Sequence, residues 1–275
     1  MENHAGPHRQ VRLHSRRSWF WIMLVLITMS PSLYAAKEND ALLIQGIQVF
    51  NEATVEWNRQ RFEDAVAIFA VAQQREPNRV DPLYWEGVVQ FHLVNLTLFG
   101  LEEQRDKDGA KQYLHRGMAV LEEAVEIDNR HGESHALLGT LIGISIYMNP
   151  LRGVTRGKDV FKHFQLASQK APENPRVYYL AGTSYLFTPA FLGGGVEKGV
   201  KYLLQAEHHF VKEAQQPAKP AEPRWGFSTC LAFLGRAYME QDHHELARRY
   251  FMRALERHPG YQLALSGLEA LDTKR

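Results

Sequence analysis

The chain has 275 residues, of which 45% are hydrophobic and 23% are charged, a balance that suits one repeat domain or two small globular domains. Its 32 lysine and arginine residues nearly balance its 31 aspartate and glutamate residues, so the sequence predicts no nucleic-acid partner. The single cysteine, Cys230, excludes an intramolecular disulfide and any cysteine-based metal cluster.

Residues 1–36 are predicted to be an export signal. A basic stretch ends at Arg17, the apolar run 19–29 follows it, and the small residues Ala35 and Ala36 offer a cleavage point. The strongly apolar run favours ordinary secretion over twin-arginine export. It is shorter than the roughly 20 residues that a membrane-spanning helix needs. We therefore expect cleavage after Ala36, a periplasmic location and no stable membrane span afterwards.

Two stretches near opposite ends of the remaining chain share one spacing of small residues, an aromatic residue and a closing proline. The first has Ala53, Ala65, Phe69, Ala72 and Pro77, and the second has Gly235, Ala247, Phe251, Ala254 and Pro259. Small residues at these offsets let two antiparallel helices touch, and the proline ends the second helix. The spacing resembles the tetratricopeptide repeat, a helix-turn-helix unit of about 34 residues. The resemblance implies an all-α, right-handed α-solenoid of about five helix hairpins with a C-terminal cap helix.

The predicted solenoid, residues 41–272, divides into five repeats and a cap. The repeats are expected over residues 46–79, 80–131, 132–174, 175–227 and 228–261, and the cap helix over 262–271. The first repeat comprises helices over 41–57 and 62–75. The second repeat has eighteen extra residues, which are expected to lengthen both of its helices. The third and fourth repeats carry insertions in their internal turns, and a proline-rich link, 216–223, follows the fourth.

A further stretch is more specific than the repeat spacing. It runs from Asn174 through the Thr-Pro and three-glycine turn ending at Gly195, and a Trp-Gly pair follows at Trp225 and Gly226. This stretch is similar to a family of exported bacterial tetratricopeptide-repeat proteins, and the similarity covers about residues 40–270. It implies export and a repeat scaffold, and it supplies no catalytic residue.

The first helices of the repeats are expected to line a concave groove. The residues that face away from the helix-pair contact are mostly aromatic, with sparse positive charge: Trp57, Tyr84, Phe91, His92, Arg176, Tyr179, Phe187 and Arg236. Such a groove suits an extended peptide or an apolar partner helix. The alternative is that added helices fill the groove.

A second candidate surface is the edge formed by turns 149–156 and 188–195. Insertions at equivalent positions of neighbouring repeats emerge side by side on one edge of a solenoid. Arg152 and Phe191 are the candidate contacts there. The alternative is that Phe191 and Leu192 fold back onto the core.

The sequence predicts no metal, no cofactor and no enzymatic reaction. His131 and His135 do not form a zinc-binding helix motif, and the glycines at 193–195 are not followed by the Gly-Lys-Ser/Thr of a phosphate loop. The predicted function is therefore that of an exported, non-enzymatic scaffold that binds a peptide or partner protein. The alternative is a ligand-binding accessory subunit of a transport system, which a solvent channel lined by Trp57, Tyr84 and Tyr179 would favour.

Overall fold

The computed structural model of the protein describes residues 31–273, and side chains from residue 37 onward. Most of the predicted signal lies outside the described residues. These contain eleven α-helices and no strand: α1 Pro31–Glu56, α2 Arg59–Arg75, α3 Val80–Phe99, α4 Lys107–Ile127, α5 Gly132–Met148, α6 Arg152–Lys170, α7 Pro175–Phe187, α8 Val196–Ala214, α9 Phe227–Glu240, α10 His244–Arg257 and α11 Gln262–Thr273. The chain divides into the units Met1–Lys37 and Glu38–Arg275. None of the described helices combines the length and apolar character that a membrane crossing requires.

Side chains at the helix starts explain several of these boundaries. Asn58 and Asp106 accept hydrogen bonds from backbone N–H groups in the first turns of α2 and α4. Asn174 does the same for α7, and Pro175 occupies its first turn. Each bond satisfies a backbone donor that has no partner inside the helix, so these polar residues favour a helix start at the observed position.

Small residues of the first helices pack against large residues of the second helices, as the repeat spacing predicts. A Cβ atom added at Gly87, Gly182 or Gly235 would lie within 3 Å of the facing Leu121, Leu203 or Phe251. The residues of the first spacing, from Ala53 to Ala72, are likewise fully buried. The described helices therefore form hairpins that stack into an all-α solenoid, as predicted, and α11 lies at the position of the predicted cap helix.

The extra residues of the second repeat lie mainly in its helices. Helices α3 and α4 have 20 and 21 residues, whereas α9 and α10 have 14 each. This confirms the prediction that both helices are lengthened. The first helix differs from expectation, because α1 begins at Pro31 rather than at residue 41. Proline suits the first turn of a helix, and no glycine or proline interrupts the sequence between Ser32 and Asp40.

Candidate functional site

The inner face of the solenoid is covered by its own chain. Of the residues predicted to line an open groove, Tyr84, Phe91, Arg176 and Tyr179 are buried. Trp225, in the connection 215–226 between α8 and α9, contacts three of them: Tyr84, Phe91 and Tyr179. The Trp225 side chain, from the link after the fourth repeat, therefore lies where the sequence predicted an open groove, while residues 215–220 of that link are exposed. The predicted alternative had placed added helices there.

Trp225 is the residue that closes the inner face. Its indole N–H donates a hydrogen bond to the Tyr84 hydroxyl at 3.0 Å, across 141 residues of sequence. Its ring centroid lies 6.0 Å from that of Tyr179 and 6.2 Å from that of Phe91. Gly226 makes this placement possible, since its φ of 100° is a conformation that favours glycine. Trp225 thus occupies the space that the sequence assigned to a partner.

A buried polar network lies beneath Trp225 and joins four helices. The Tyr84 hydroxyl and the Asn174 amide both donate to the carboxylate of Glu133. The Arg176 Nε donates to the same carboxylate at 2.9 Å, and its two terminal nitrogens donate to Glu213 at 2.5 and 3.1 Å. The network therefore holds α3, α5, α7 and α8 in one relative position.

Burial and charge act in opposite directions on the acid–base groups of this network. Burial alone would lower the pKa of Arg176, but its contact with the carboxylates of Glu133 and Glu213 raises it overall. Burial alone would raise the pKa of Glu133, and the charge of Arg176 with the donated hydrogen bonds lowers it below its usual value. Burial also raises the pKa of Tyr84. These shifts favour a charged Arg176, an ionised Glu133 and a neutral Tyr84 near neutral pH.

Two other predicted groove residues, His92 and Trp57, belong to an aromatic cluster beside this network. The His92 ring lies 4.9 Å from Phe50, 5.8 Å from Phe62 and 5.6 Å from Trp225. Burial lowers the pKa of His92 to about 4, so this imidazole is neutral at neutral pH. Trp57 is half-buried against Phe62 and His92. Tyr84, Phe91, Arg176 and Tyr179 are thus buried, with Trp57 and His92 packed beside them, and the role of these residues in binding stays a prediction.

The edge at turns 149–156 and 188–195 is, by contrast, open. Its large apolar side chains are exposed: Leu151 is 80% exposed, Val154 89%, Phe191 87% and Leu192 56%, and Phe187, at the adjoining end of α7, is 60% exposed. Phe191 and Leu192 therefore do not fold back onto the core. Phe99 and Tyr147 are a further exposed pair, with ring centroids 5.7 Å apart. We call the row of Leu151, Val154, Phe187, Phe191 and Leu192 the apolar edge.

The turn that presents Phe191 is held by backbone hydrogen bonds. Gly193 and Gly195 have φ values of 87° and 110°, which confirms that this turn uses glycine for its positive φ angles. The Gly195 N–H donates to the Tyr185 carbonyl at 2.9 Å, and the Lys198 ammonium donates to the Gly193 carbonyl at 2.8 Å. Phe191 is therefore presented to solvent from an ordered turn.

Phe187, Arg236 and Arg152 lie at or beside the apolar edge. The Arg236 guanidinium lies 5.4 Å from the Phe187 ring centroid and pairs with Glu240 at 3.4 Å. Phe187 and Arg236 were predicted to face the groove, and the structure places them together near the turns instead, because α7 ends at Phe187. Arg152 begins α6 and is half-buried.

An aromatic row behind the apolar edge was missed by the sequence analysis. It connects α6, α7 and α8 through successive ring contacts of 6.1, 4.9, 6.2 and 5.2 Å, in the order Phe161, Tyr185, Tyr202, Tyr178 and His209. Lys198 lies 3.9 Å from the Tyr185 ring centroid. A spacing of seven residues separates the two members on α7, and likewise the two on α8, so each pair shares a helix face. That spacing was the available signal.

Histidine side chains approach each other between α5 and α6 without forming a metal site. The Nδ1 atoms of His135 and His163 lie 3.0 Å apart, and the His135 Nε2 contacts the Asn129 carbonyl at 3.0 Å. Burial lowers the pKa of both rings, to about 4 for His163. Among residues 31–273, no group of three or more histidine, cysteine, aspartate or glutamate side chains is arranged to hold a metal ion.

Comparison with known proteins identifies one matching family and several similar folds. The profile of the family described as Regulator of microtubule dynamics protein 1-3 matches residues 49–262. No curated protein matches the chain. TTC0263, a thermophilic TPR protein from Thermus thermophilus, has a TM-score of 0.60 at 16% identity, with 85% of this chain and 98% of that one covered. The HusA haemophore from Porphyromonas gingivalis has a TM-score of 0.57 at 19% identity, with 77% and 96% covered. These two likenesses establish the tetratricopeptide-repeat-like fold alone.

Proposed function

The chain belongs to the family described as Regulator of microtubule dynamics protein 1-3, and from its exposed surface we propose that it is a non-enzymatic scaffold that binds a partner protein at the apolar edge. The observation that carries this proposal is the exposure of five large apolar side chains, four on the turns 149–156 and 188–195 and Phe187 at the end of α7. We treat these side chains as one surface because insertions in neighbouring repeats emerge on the same edge of a solenoid. An apolar surface exposed to water marks an interaction site, because leaving it in water is unfavourable.

The order of these turns supports binding at this edge. A backbone that is already held by hydrogen bonds loses little conformational freedom when a partner covers it, so more of the hydrophobic gain remains as affinity. Backbone hydrogen bonds hold the glycine turn at Phe191, and the Asn149 side chain accepts a hydrogen bond from the Leu151 backbone N–H at 3.3 Å. On the inner face, a partner would first have to displace Trp225 from Tyr84. The edge is therefore the more accessible of the two predicted surfaces.

The geometry favours the scaffold over the transport-subunit alternative. That alternative called for a solvent channel lined by Trp57, Tyr84 and Tyr179. Tyr84 and Tyr179 are buried against Trp225, where they contribute to packing. The apolar edge, by comparison, needs no rearrangement to meet a partner.

Site-specific photo-crosslinking in the source cell tests the edge. A photoreactive residue in place of Phe191 is expected to crosslink a discrete partner protein, because that side chain is 87% exposed on the proposed surface. The same residue in place of Met252 is the matched control, since Met252 is 52% exposed on the distant helix α10. Adding Leu151→Ser to the Phe191 probe should reduce the crosslink at least about fivefold, whereas adding Val71→Ser should not.

The result that would exclude the apolar edge is equally specific. Crosslinks of the same pattern from positions 191 and 252 would mean that no surface is preferred. A Phe191 crosslink that survives Leu151→Ser at full yield would show that the two turns do not act as one surface.

Export is part of the proposal and has its own test. The basic stretch, the apolar run 19–29 and the small residues at 35 and 36 support secretion to the periplasm. N-terminal sequencing of the protein recovered from its source cells is expected to begin near Lys37. Recovery of a chain that still begins at Met1 from the cytoplasmic fraction would refute this part of the proposal.

A further inference from the structure

We propose that the partner of the apolar edge presents an acidic amphipathic segment, which lies along the exposed faces of α6 and α8 behind the edge. This inference rests on the proposed function and names the chemistry of the partner. Three observations support it. Helix α6 is positively charged, most of its basic side chains have no ion pair among the described residues, and the aromatic row lies behind the edge.

Helix α6 concentrates positive charge in a nearly neutral protein. It contains five basic residues and one acidic residue, a contribution of +4, whereas the whole chain has a formal charge of +1. The rest of the chain therefore sums to −3. Helix α8, on the other side of the aromatic row, has three basic and three acidic residues. Charge complementarity across an interface favours a partner of opposite sign, so the surface along α6 favours an acidic one.

Most of this charge is left unpaired by the described part of the protein. Within residues 31–273, the ion pairs of α6 are those of Arg156 with Glu122 at 3.4 Å and with Asp159 at 2.9 Å. Lys158 and Lys162 are exposed and have no ion pair there. These two ammonium groups are therefore available to the carboxylates of a partner.

The unpaired lysines of α6 lie in a line that starts at the apolar edge. Val154, Lys158 and Lys162 are four residues apart, so they share one face of α6. Lys162 lies about 12 Å along the helix from Val154, since each residue rises about 1.5 Å. On α8, Lys201 and Leu204 are also exposed, one and two turns from the helix start. A ligand that contacts both the edge and these charges must be elongated and lie along the helices.

The aromatic row supplies the apolar contacts of such a ligand beyond the edge. Phe161 and Tyr202 are half-buried members from α6 and α8, and Tyr178 continues the row on α7. Half-buried aromatic rings bring a large contact area with little loss of side-chain freedom, which is why they are enriched at interfaces. An amphipathic helix with apolar residues toward this row and carboxylates toward α6 satisfies both features.

The position of Lys162 favours a protein segment over an anionic membrane. A membrane that met the tips of the turns end-on would leave Lys162 about 12 Å behind them. Charges at that distance are largely screened, because the Debye length is about 8 Å at physiological ionic strength. A segment that lies along α6 contacts Lys162 directly.

The test uses the full chain and two designed amphipathic helical peptides measured by fluorescence anisotropy. Both peptides share an apolar face of leucine and phenylalanine, and one carries glutamate where the other carries lysine. We expect the glutamate peptide to bind at least about tenfold more tightly than the lysine peptide. Lys158→Glu with Lys162→Glu should weaken its binding about tenfold, since two attractions become two repulsions.

The matched control reverses the same number of charges elsewhere. Lys107→Glu with Arg249→Glu changes exposed residues of α4 and α10 that have no ion pair among the described residues. Binding of the glutamate peptide should stay within about twofold of the original value in this variant. Circular dichroism should show unchanged helix content in both variants, which excludes a loss of fold as the cause.

The failures of the two proposals are distinguishable. Equal binding of both peptides, or of neither, would overturn the acidic segment, while crosslinking from Phe191 would still report on the edge itself. If the Lys158 and Lys162 variant loses peptide binding but Leu151→Ser does not affect it, the lysines bind the acidic segment. The apolar edge is then not part of the binding site. A third outcome is that neither peptide binds, that phosphatidylglycerol vesicles bind, and that the same charge reversal abolishes vesicle binding. The partner would then be an anionic membrane and not a protein segment.

Discussion

Replacing Arg176 by methionine is expected to lower the free energy of unfolding by about 3–5 kcal/mol. The arginine side chain is 3% exposed and is the cation between the carboxylates of Glu133 and Glu213. Methionine retains apolar volume, but it leaves the buried carboxylate of Glu133 and the partly buried carboxylate of Glu213 without a positive partner. The loss is measured by chemical denaturation, followed by far-ultraviolet circular dichroism.

Arg236→Met is the matched control for this prediction. It removes the same charge from a side chain that is 44% exposed and pairs with Glu240 one helical turn away. Exposed pairs of this kind contribute little, so we expect a change within about 0.5 kcal/mol. Similar losses in the two variants would mean that the buried network does not hold the inner face together.

Replacing Gly235 by leucine is expected to destabilise the last hairpin, with a loss of about 1–3 kcal/mol from overpacking. A Cβ atom at this position would lie 2.7 Å from Cε1 of Phe251. Phe251 has no room to retreat, because its ring also lies against Gly267 of α11. The melting temperature measured by calorimetry should fall accordingly.

Gly157→Leu provides the control for this substitution. Gly157 also lies inside a helix, α6, but an added Cβ atom would meet nothing within 4 Å. Leucine has the higher helix propensity by about 0.5–1 kcal/mol, so the melting temperature should stay equal or rise. A Gly235→Leu variant as stable as the original protein would show that the hairpin contact at Phe251 is loose.

The sequence did not determine which of the two candidate surfaces is exposed. The spacing of aromatic residues on the first helices grouped Tyr84, Phe91 and Tyr179, and all three contact Trp225 in the structure. It did not reveal that Trp225, 141 residues after Tyr84, lies against them. The sequence correctly placed Phe191 in an irregular turn. It was equally consistent with an exposed Phe191 side chain and with one packed on the core.

The sequence by itself determined the helices, their pairing and the all-α solenoid. The reason is that these features depend on local periodicity and on small residues such as Ala53 and Gly235 at fixed spacing, which act within one hairpin. The signal at residues 1–36 is equally local, and it stays a prediction.

Only the tertiary structure decided which surface is open. The hydrogen bond between Trp225 and Tyr84 joins residues from different repeats, and so does the ion pair between Arg176 and Glu133. Such contacts depend on how every hairpin packs against the next, and no short window of sequence contains that information. The same packing fills the inner face and leaves Leu151 and Phe191 in solvent.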